Sequence, residues 1–447
     1  MNRKIIYIVL FSASFIQAEA QSSYTLEQVL DSAKAHNIAI RKAQREIDTA
    51  KEQRKEAFTK FFPTVSATGA WFNANKSMAQ TDVDLSQYIT PELATSLSQI
   101  LPPETLAALS EPMSISMMKN GVIASVSAIQ PIFAGGQIVN GNKLAKIGEE
   151  VSRLQLQLTE DEVEKIAEQY FWQIVTLEEK QRTLDAVEAM LTDIHKDVTL
   201  AVQAGLVLRN DLLQVELRKN DVESQKVKLQ NALSLVRMLL AQYCGFQNTT
   251  FALTYQPEAP SPHSIKRDHQ QALLSTPEYQ LLNKQVEAST LQKKMAVGEN
   301  LPTVAVGAGY NYHNLLDNDR TFGMLFATVS VPISNWWGGS HHIKRTKIAQ
   351  QQAIEERDNN VQLLSIGMQK AWNDVVEAYQ QLNIADRSIV QAEENLRIQR
   401  NCYQSGTITM SDLLEAQMLY QQSLDQRTDA FADYHNKILA YRHTLGM

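Results

Sequence analysis

The sequence predicts an α+β membrane protein in which one unit of very long helices and short strands is built twice, the strands being shared between copies of the chain. Three observations carry this. The chain repeats itself, it holds two proline-free stretches at 141–203 and 341–404, and each repeat contains a segment in which apolar residues alternate with small or polar ones.

The repeat is read directly. "FFPTVSATGAWF" at 61–72 matches "NLPTVAVGAGYN" at 300–311, a shift of 239. "QPIFAGG" at 130–136 answers "VPISNWWGG" at 331–339, and Gly205 answers Gly406, both at shifts of about 201. The repeats therefore run over 21–255 and 256–447, the first carrying an insert at 73–119. Each reads as helix, strand, loop, strand, very long helix, turn, helix.

Ahead of the first repeat, residues 1–20 have the layout of a secretory signal peptide: Arg3 and Lys4, an apolar run from Ile5 to about Phe15, and Ala18-Glu19-Ala20 before Gln21. That run is too short to span a bilayer, and no later stretch approaches the ~18 apolar residues of a membrane helix. A membrane contact would have to be made by strands. Loss of the leader takes the formal charge from −7 to −8, which argues against a nucleic-acid partner. Cys244 and Cys402 fall at unrelated points of the two halves, so free thiols are expected.

Helices are expected at 25–60 and 265–298. Strands follow at about 61–73 and 120–133, and at about 302–313 and 322–333. In the second repeat Val304, Val306, Ala308, Tyr310 and Tyr312 fall on one face, opposite Thr303, Ala305, Gly307, Gly309 and Asn311. In the first, Val65, Ala67, Gly69 and Trp71 oppose Thr64, Ser66, Thr68 and Ala70. An apolar face ending in aromatics is the alternation of a transmembrane barrel strand, although a sheet packed on helices alternates too. Four strands cannot close a barrel whose smallest membrane examples need about eight, so an oligomer is implied.

The long helical hairpins are expected at 141–243 and 340–446. Within 141–203 and 341–404 the only interior glycines are Gly148 and Gly367, and about 64 residues at 1.5 Å each give a helix of ~96 Å. Val375, Leu382, Ile389, Leu396 and Tyr403 recur every seven residues, as do Leu177, Leu184, Leu191 and Val198. These are coiled-coil seams, and Ala378, Ala385 and Ala392 beside the first imply close helix approach. The returning helices, 209–243 and 410–446, are about half as long, so a bundle of constant length pairs each long helix with stacked short ones.

Four segments, "LPTVAVGAGY", "QPIFAGGQIVNGNKLA", "QAGLVLRNDLLQVE" and "QSGTITMSDLLEAQ", set in the duplicated frame, together resemble the TolC-like outer-membrane efflux proteins. The resemblance covers nearly the whole mature chain. It implies a homotrimer with a shared 12-stranded transmembrane β-barrel continuing into a long periplasmic α-helical coiled-coil tunnel. The implied function is the exit duct of a tripartite efflux pump, with an inner-membrane RND or ABC pump and a periplasmic adaptor as partners. A type I secretion duct, or a soluble periplasmic coiled-coil scaffold, is the alternative.

The resemblance also assigns residues. The turns Gly205-Leu206-Val207 and Gly406-Thr407-Ile408 correspond to the tunnel tips where the adaptor docks. Asp412 and Glu415 match acidic rings at the periplasmic gate; three apart, they share a helix face. Thr409 and Asp412 also have the spacing of a capping box, a purely structural reading. Asp211 and Tyr403 match two partners in a link that holds the closed gate, while the family's basic residue two places after the second glycine is replaced by Ile408. The insert would lie outside the cell, as a passive loop or a lid, with two short helices in "ITPELATSLSQILPPETLAALSEP".

No chemistry competes with this. Neighbouring helix residues such as His341 and His342 do not face one metal site, and no Cys or carboxylate stands at ligand spacing. "GGQIVNGNK" lacks the lysine of a phosphate loop, and "GAGYNYH" is half a dinucleotide fingerprint with no helix after it. No enzyme activity, cofactor or metal is expected.

Overall fold

The computed structural model describes residues 23–98, 100–105, 113–117, 119–315 and 319–447. The expected signal peptide lies outside them. In chain order the elements are β1 (Ser23–Thr25), α1 (Leu26–His36), α2 (Ile38–Thr59), β2 (Thr64–Asn73), β3 (Ala79–Val83), α3 (Pro91–Ser98), β4 (Met113–Met117), β5 (Asn120–Ala134), α4 (Gln137–Gln203) and α5 (Arg209–Cys244). The second half continues with β6 (Ala252–Thr254), α6 (Pro262–Ile265), α7 (His269–Ser275), α8 (Pro277–Gly298), β7 (Thr303–Asn314), β8 (Asp319–Ser330), α9 (Asn335–Gln404) and α10 (Met410–Thr444). They fall into two compact units, one of residues 50–148 and 286–353, the other of 23–49, 149–285 and 354–447.

The first unit holds an antiparallel sheet in the order β2-β5-β7-β8. The central pairing, β5 with β7, joins the strands of one repeat to those of the other. Its register fixes the faces. Val65 lies opposite Ala128, Ala67 opposite Val126 and Trp71 opposite Val122; Val126 then meets Tyr310, and Ala308 meets Leu325. These residues form one continuous apolar face. On the other, Ser66 and Ser127 hydroxyls lie 3.2 Å apart and Thr68 and Ser125 hydroxyls 2.8 Å apart, a polar ladder across two strands. Phe326 lies on this second face across Gly307, where a Cβ would meet its ring at 2.3 Å. The bulge between Pro131 and Phe133 falls where proline has no N–H to give the ladder.

At the base of the sheet the glycines of "QPIFAGG" have a packing reason. Gly135 has φ +60° and sits against Gly298 at the end of α8, whose carbonyl oxygen a Cβ would approach to 2.1 Å. Only glycine permits both the left-handed backbone and the contact.

The second unit is helical. Its seams are the expected ones: Val375, Ala378, Leu382, Ala385 and Leu396 are buried along α9, and Leu184, Leu191 and Val198 along α4. A wider core gathers Phe171, Trp172, Tyr434 and Tyr441 beside Val29 and Ala33 of α1. A short parallel pair, β1 with β6, closes over it, and Tyr24 stacks on Phe246 at 4.3 Å. Among the described residues no helix is long and apolar enough to cross a membrane.

Several boundaries differ from the sequence reading. The helix expected at 25–60 is broken at Asn37, whose extended backbone (ψ 134°) caps α1 and whose side chain accepts from the Ala39 N–H at 2.8 Å. The helix expected at 265–298 is three pieces: the backbone leaves the helical region at Lys266 (ψ 134°), and Pro277 forces Thr276 out of it again (φ −64°, ψ 141°). The fourth strand ends at Ser330 and α9 starts at Asn335, earlier than expected. The insert holds the hairpin pair β3–β4 as well as α3, with Ala79 opposite Met117 and Val83 opposite Met113. Its residues 106–112, part of the second short helix expected there, lie outside the described residues, as does residue 118.

Candidate functional site

The candidate site lies at the two turns that join α4 to α5 and α9 to α10, both in the helical unit. Each long helix ends in the same motif. The Gly205 N–H donates to the Val202 carbonyl at 3.0 Å and the Leu206 N–H to Ala201 at 2.9 Å. In the second turn the Gly406 N–H donates to Tyr403 at 3.0 Å and the Thr407 N–H to Cys402 at 2.9 Å. With φ of +71° and +74°, both glycines are the left-handed residues of a Schellman cap. A Cβ would meet nothing within 4 Å at either, so glycine is there for its backbone alone.

The turns pack on one another. Val207 and Ile408 join Val198, Val202, Val215, Leu396, Tyr403, Met410 and Leu413 in a single apolar cluster. Ile408, the departure from the basic residue that the resemblance led us to expect, thus has a packing role. Leu206 and Leu208 point the other way and are 79 % and 74 % exposed.

The caps on the returning helices are unlike. Thr409 forms a full capping box with Asp412: the Thr409 N–H donates to Asp412 Oδ2 at 2.9 Å, the Thr409 hydroxyl donates to the same oxygen at 2.7 Å, and its oxygen receives the Asp412 N–H at 3.3 Å. These hydrogen bonds hold the Asp412 carboxyl below the usual carboxylate range. Leu208 has the same extended backbone as Thr409 but no hydroxyl, so Asp211, which occupies the place of Asp412 in the first turn, has no such cap to complete. Asp412 and Glu415 are both exposed, while Leu413 and Ala416 of the same turn of helix are buried.

Asp211 and Tyr403 come together within one chain. Burial first, and the Asp211 charge second, push the Tyr403 phenol upward. Its oxygen is buried and makes no hydrogen bond. One turn or more further up, a polar layer that the sequence did not reveal crosses from α5 to α10: Arg218 donates to Gln417 Oε1 at 3.1 Å and to Gln421 Oε1 at 2.6 Å, and Gln421 donates to Gln225 at 3.2 Å. Gln417 is fully buried. Cys402 is half-buried near the second turn and Cys244 is buried far from it in sequence; both are free. His342 faces Glu299 at 3.4 Å, with the Arg345 guanidinium 2.9 Å from its other nitrogen, and among the described residues no group of metal-ligating side chains gathers.

Residues 269–446 match the family model described as outer membrane efflux protein. No curated protein matches this chain in sequence, yet a likeness in fold to solved outer membrane proteins extends over both repeats. The outer membrane channel CmeC of Campylobacter jejuni is 14 % identical, with 94 % of this chain and 85 % of that one covered and a TM-score of 0.73. VceC from Vibrio cholerae, an outer membrane protein, is 14 % identical over 94 % and 96 % of the chains, with a TM-score of 0.71. The open-state MtrE outer membrane channel of Neisseria gonorrhoeae is 13 % identical over 94 % and 88 %, also at 0.71. This chain therefore shares the fold of these channels over both repeats where little of the sequence is shared.

Proposed function

We propose that three copies of this chain form the exit duct of a tripartite efflux pump in the outer membrane. Each protomer gives its four strands to a 12-stranded barrel and its two helical hairpins to a periplasmic tunnel. One observation carries the reading: a four-stranded sheet with a largely apolar face running from Val65 to Leu325 and a Ser/Thr ladder on the β2–β5 part of the other, whose outer strands β2 and β8 have, among the described residues, no partner on their free edges. Unpaired backbone groups are not tolerated in lipid, and four strands cannot close on themselves, so neighbouring copies must supply the missing edges.

The duct is passive. An inner-membrane pump of the RND or ABC class supplies the energy, and a periplasmic adaptor seats on the tips formed by Gly205, Leu206, Val207, Gly406, Thr407 and Ile408. The exposed Leu206 and Leu208 side chains support a contact there, because isolated tips would otherwise leave them in water. Asp412 and Glu415 ring the periplasmic entrance and favour cations, as rings of carboxylates do. Tyr403 and Asp211 link neighbouring turns in the closed state: a buried phenol without an acceptor stands beside a carboxylate that can supply one.

Membrane fractionation and bilayer recording test this together. The full-length protein is expected in the outer-membrane fraction, solubilised only by detergent, and the purified trimer is expected to conduct in planar bilayers. Recovery from the soluble periplasm without detergent would refute the duct.

A further inference from the structure

The sheet unit is strongly asymmetric in charge. At the end of the sheet where α2 and α8 enter and α4 and α9 leave, residues 51–62, 137–148, 291–302 and 335–347 carry eleven Lys or Arg against three acidic residues. At the opposite end, the described residues of 74–119 and 315–320 carry five acidic residues against three basic ones. In a chain of net charge −7, this basic collar is a local feature with its own cause.

Its position says what faces it. Exposed aromatic residues stand between the collar and the apolar sheet face: Phe58, Phe61 and Phe62 before β2, and Trp336 and Trp337 after β8. Trp336 is fixed in place by its ring N–H, which donates to the Asn300 carbonyl at 3.0 Å. Aromatic girdles of this kind mark the boundary between the hydrocarbon and the headgroups. Lys60 stands inside the girdle, four residues before β2 begins. Lys143 lies about 9 Å along α4 from its first residue, Lys294 about 6 Å from the end of α8, and Lys344 about 14 Å along α9. On α4 and α9 the side chains lean toward the helix N-terminus, and hence back toward the sheet. All four lysines are exposed. Long lysine stems lie along apolar surface while their ammonium groups reach the polar layer.

We propose that this collar binds the phosphates of anionic phospholipids in the periplasmic leaflet, through Lys60, Lys143, Lys294 and Lys344. The inference rests on the membrane placement of the sheet. A basic residue close to an anionic lipid surface strengthens association about fivefold, so four per protomer give a preference of at least roughly tenfold even when far from additive.

The test is native mass spectrometry of the full-length detergent-solubilised protein, with phosphatidylglycerol and phosphatidylethanolamine added in equal amounts. Insertion into phosphatidylethanolamine nanodiscs serves as a parallel measurement. Wild type is expected to retain phosphatidylglycerol at least about tenfold over phosphatidylethanolamine. The K60Q/K143Q/K294Q/K344Q variant is expected to lose most of that preference with insertion unchanged, and K76Q/K119Q/R320Q at the other end to keep it. Insertion without an anionic preference, or equal preference in the collar variant, overturns the inference alone. Displacement of the bound lipid by inorganic phosphate at equal concentration also overturns it, since the collar would then read a free anion. Failure of wild type to insert into neutral nanodiscs overturns the membrane placement, and the inference with it.

Discussion

Asp412 caps α10, the proposed duct also has it carry charge at the entrance, and the two roles can be separated. The Asp412→Asn change keeps an oxygen in position to accept from the Thr409 N–H, now 2.9 Å from Oδ2, while removing the charge. The Thr409→Ala change does the reverse, leaving the carboxylate and deleting the hydroxyl of the cap, at a cost of about 1 kcal/mol. For a gating ring in which a cation passes about 5 Å from each of three carboxylates, Coulomb attraction in water, roughly halved by physiological salt, raises cation occupancy about tenfold. Single-channel recording in a salt gradient measures this as a reversal potential. D412N is expected to lower cation over anion selectivity by at least about tenfold, and D412N/E415Q to lower it further, with thermal stability close to wild type. T409A is expected to keep the selectivity and to unfold earlier. Unchanged selectivity in D412N/E415Q would leave Asp412 as a cap alone and refute the charged entrance.

Three further outcomes follow from the geometry. Tyr403→Phe removes a buried hydroxyl that has no hydrogen bond within its own chain, so thermal stability is expected to hold or rise while single-channel conductance rises; unchanged conductance would show that no link to Asp211 exists. Leu208→Thr supplies the missing hydroxyl at a cap whose backbone (φ −77°, ψ 147°) already resembles that of Thr409; a stabilisation of about 1 kcal/mol is expected by thermal unfolding, and a loss of stability would refute the matched geometry. Burial first, and Arg442 second, push the His435 imidazole down to about 4. Because the folded value is depressed below the usual ~6.5, its neutral form contributes stability that is complete above that pH and is lost as pH falls toward 4, by up to about 3 kcal/mol. His435→Phe is expected to flatten the pH dependence of the melting temperature over that window, and an unaltered slope would contradict the assignment.

What was legible in the sequence is what repeats over many residues. The seam through Val375, Leu382 and Leu396 and the alternation from Val304 to Tyr312 each average over several turns or strand pairs, so no single exception hides them. The tips were legible because a glycine must follow a helix in the left-handed region, and Gly205 and Gly406 do so twice. Short elements escaped. The parallel pair Ser23–Thr25 with Ala252–Thr254 is three residues on each side and too brief for a period, whereas Pro277 and the alternation of Met113-Ser114-Ile115-Ser116-Met117 were signals left unread. At the site, Asp412 was visible both as cap and as carboxylate, and the structure supplies the cap bonds. The Arg218–Gln417–Gln421 layer was invisible because glutamines on a helix read as a solvated face, and only the packing of α5 on α10 shows them buried.

The central claim is that strand β2 of one protomer pairs with β8 of the next, and cysteine cross-linking tests it most directly. In a background with Cys244 and Cys402 changed to Ser, Ala67→Cys on β2 is combined in turn with T321C, G323C, L325C or A327C on β8, all on the same apolar face. Oxidation of the membrane-embedded protein is expected to produce a covalent trimer in one neighbouring pair of registers and none in the others. Absence of a trimer in every combination, with the protein folded and inserted, would contradict the shared barrel.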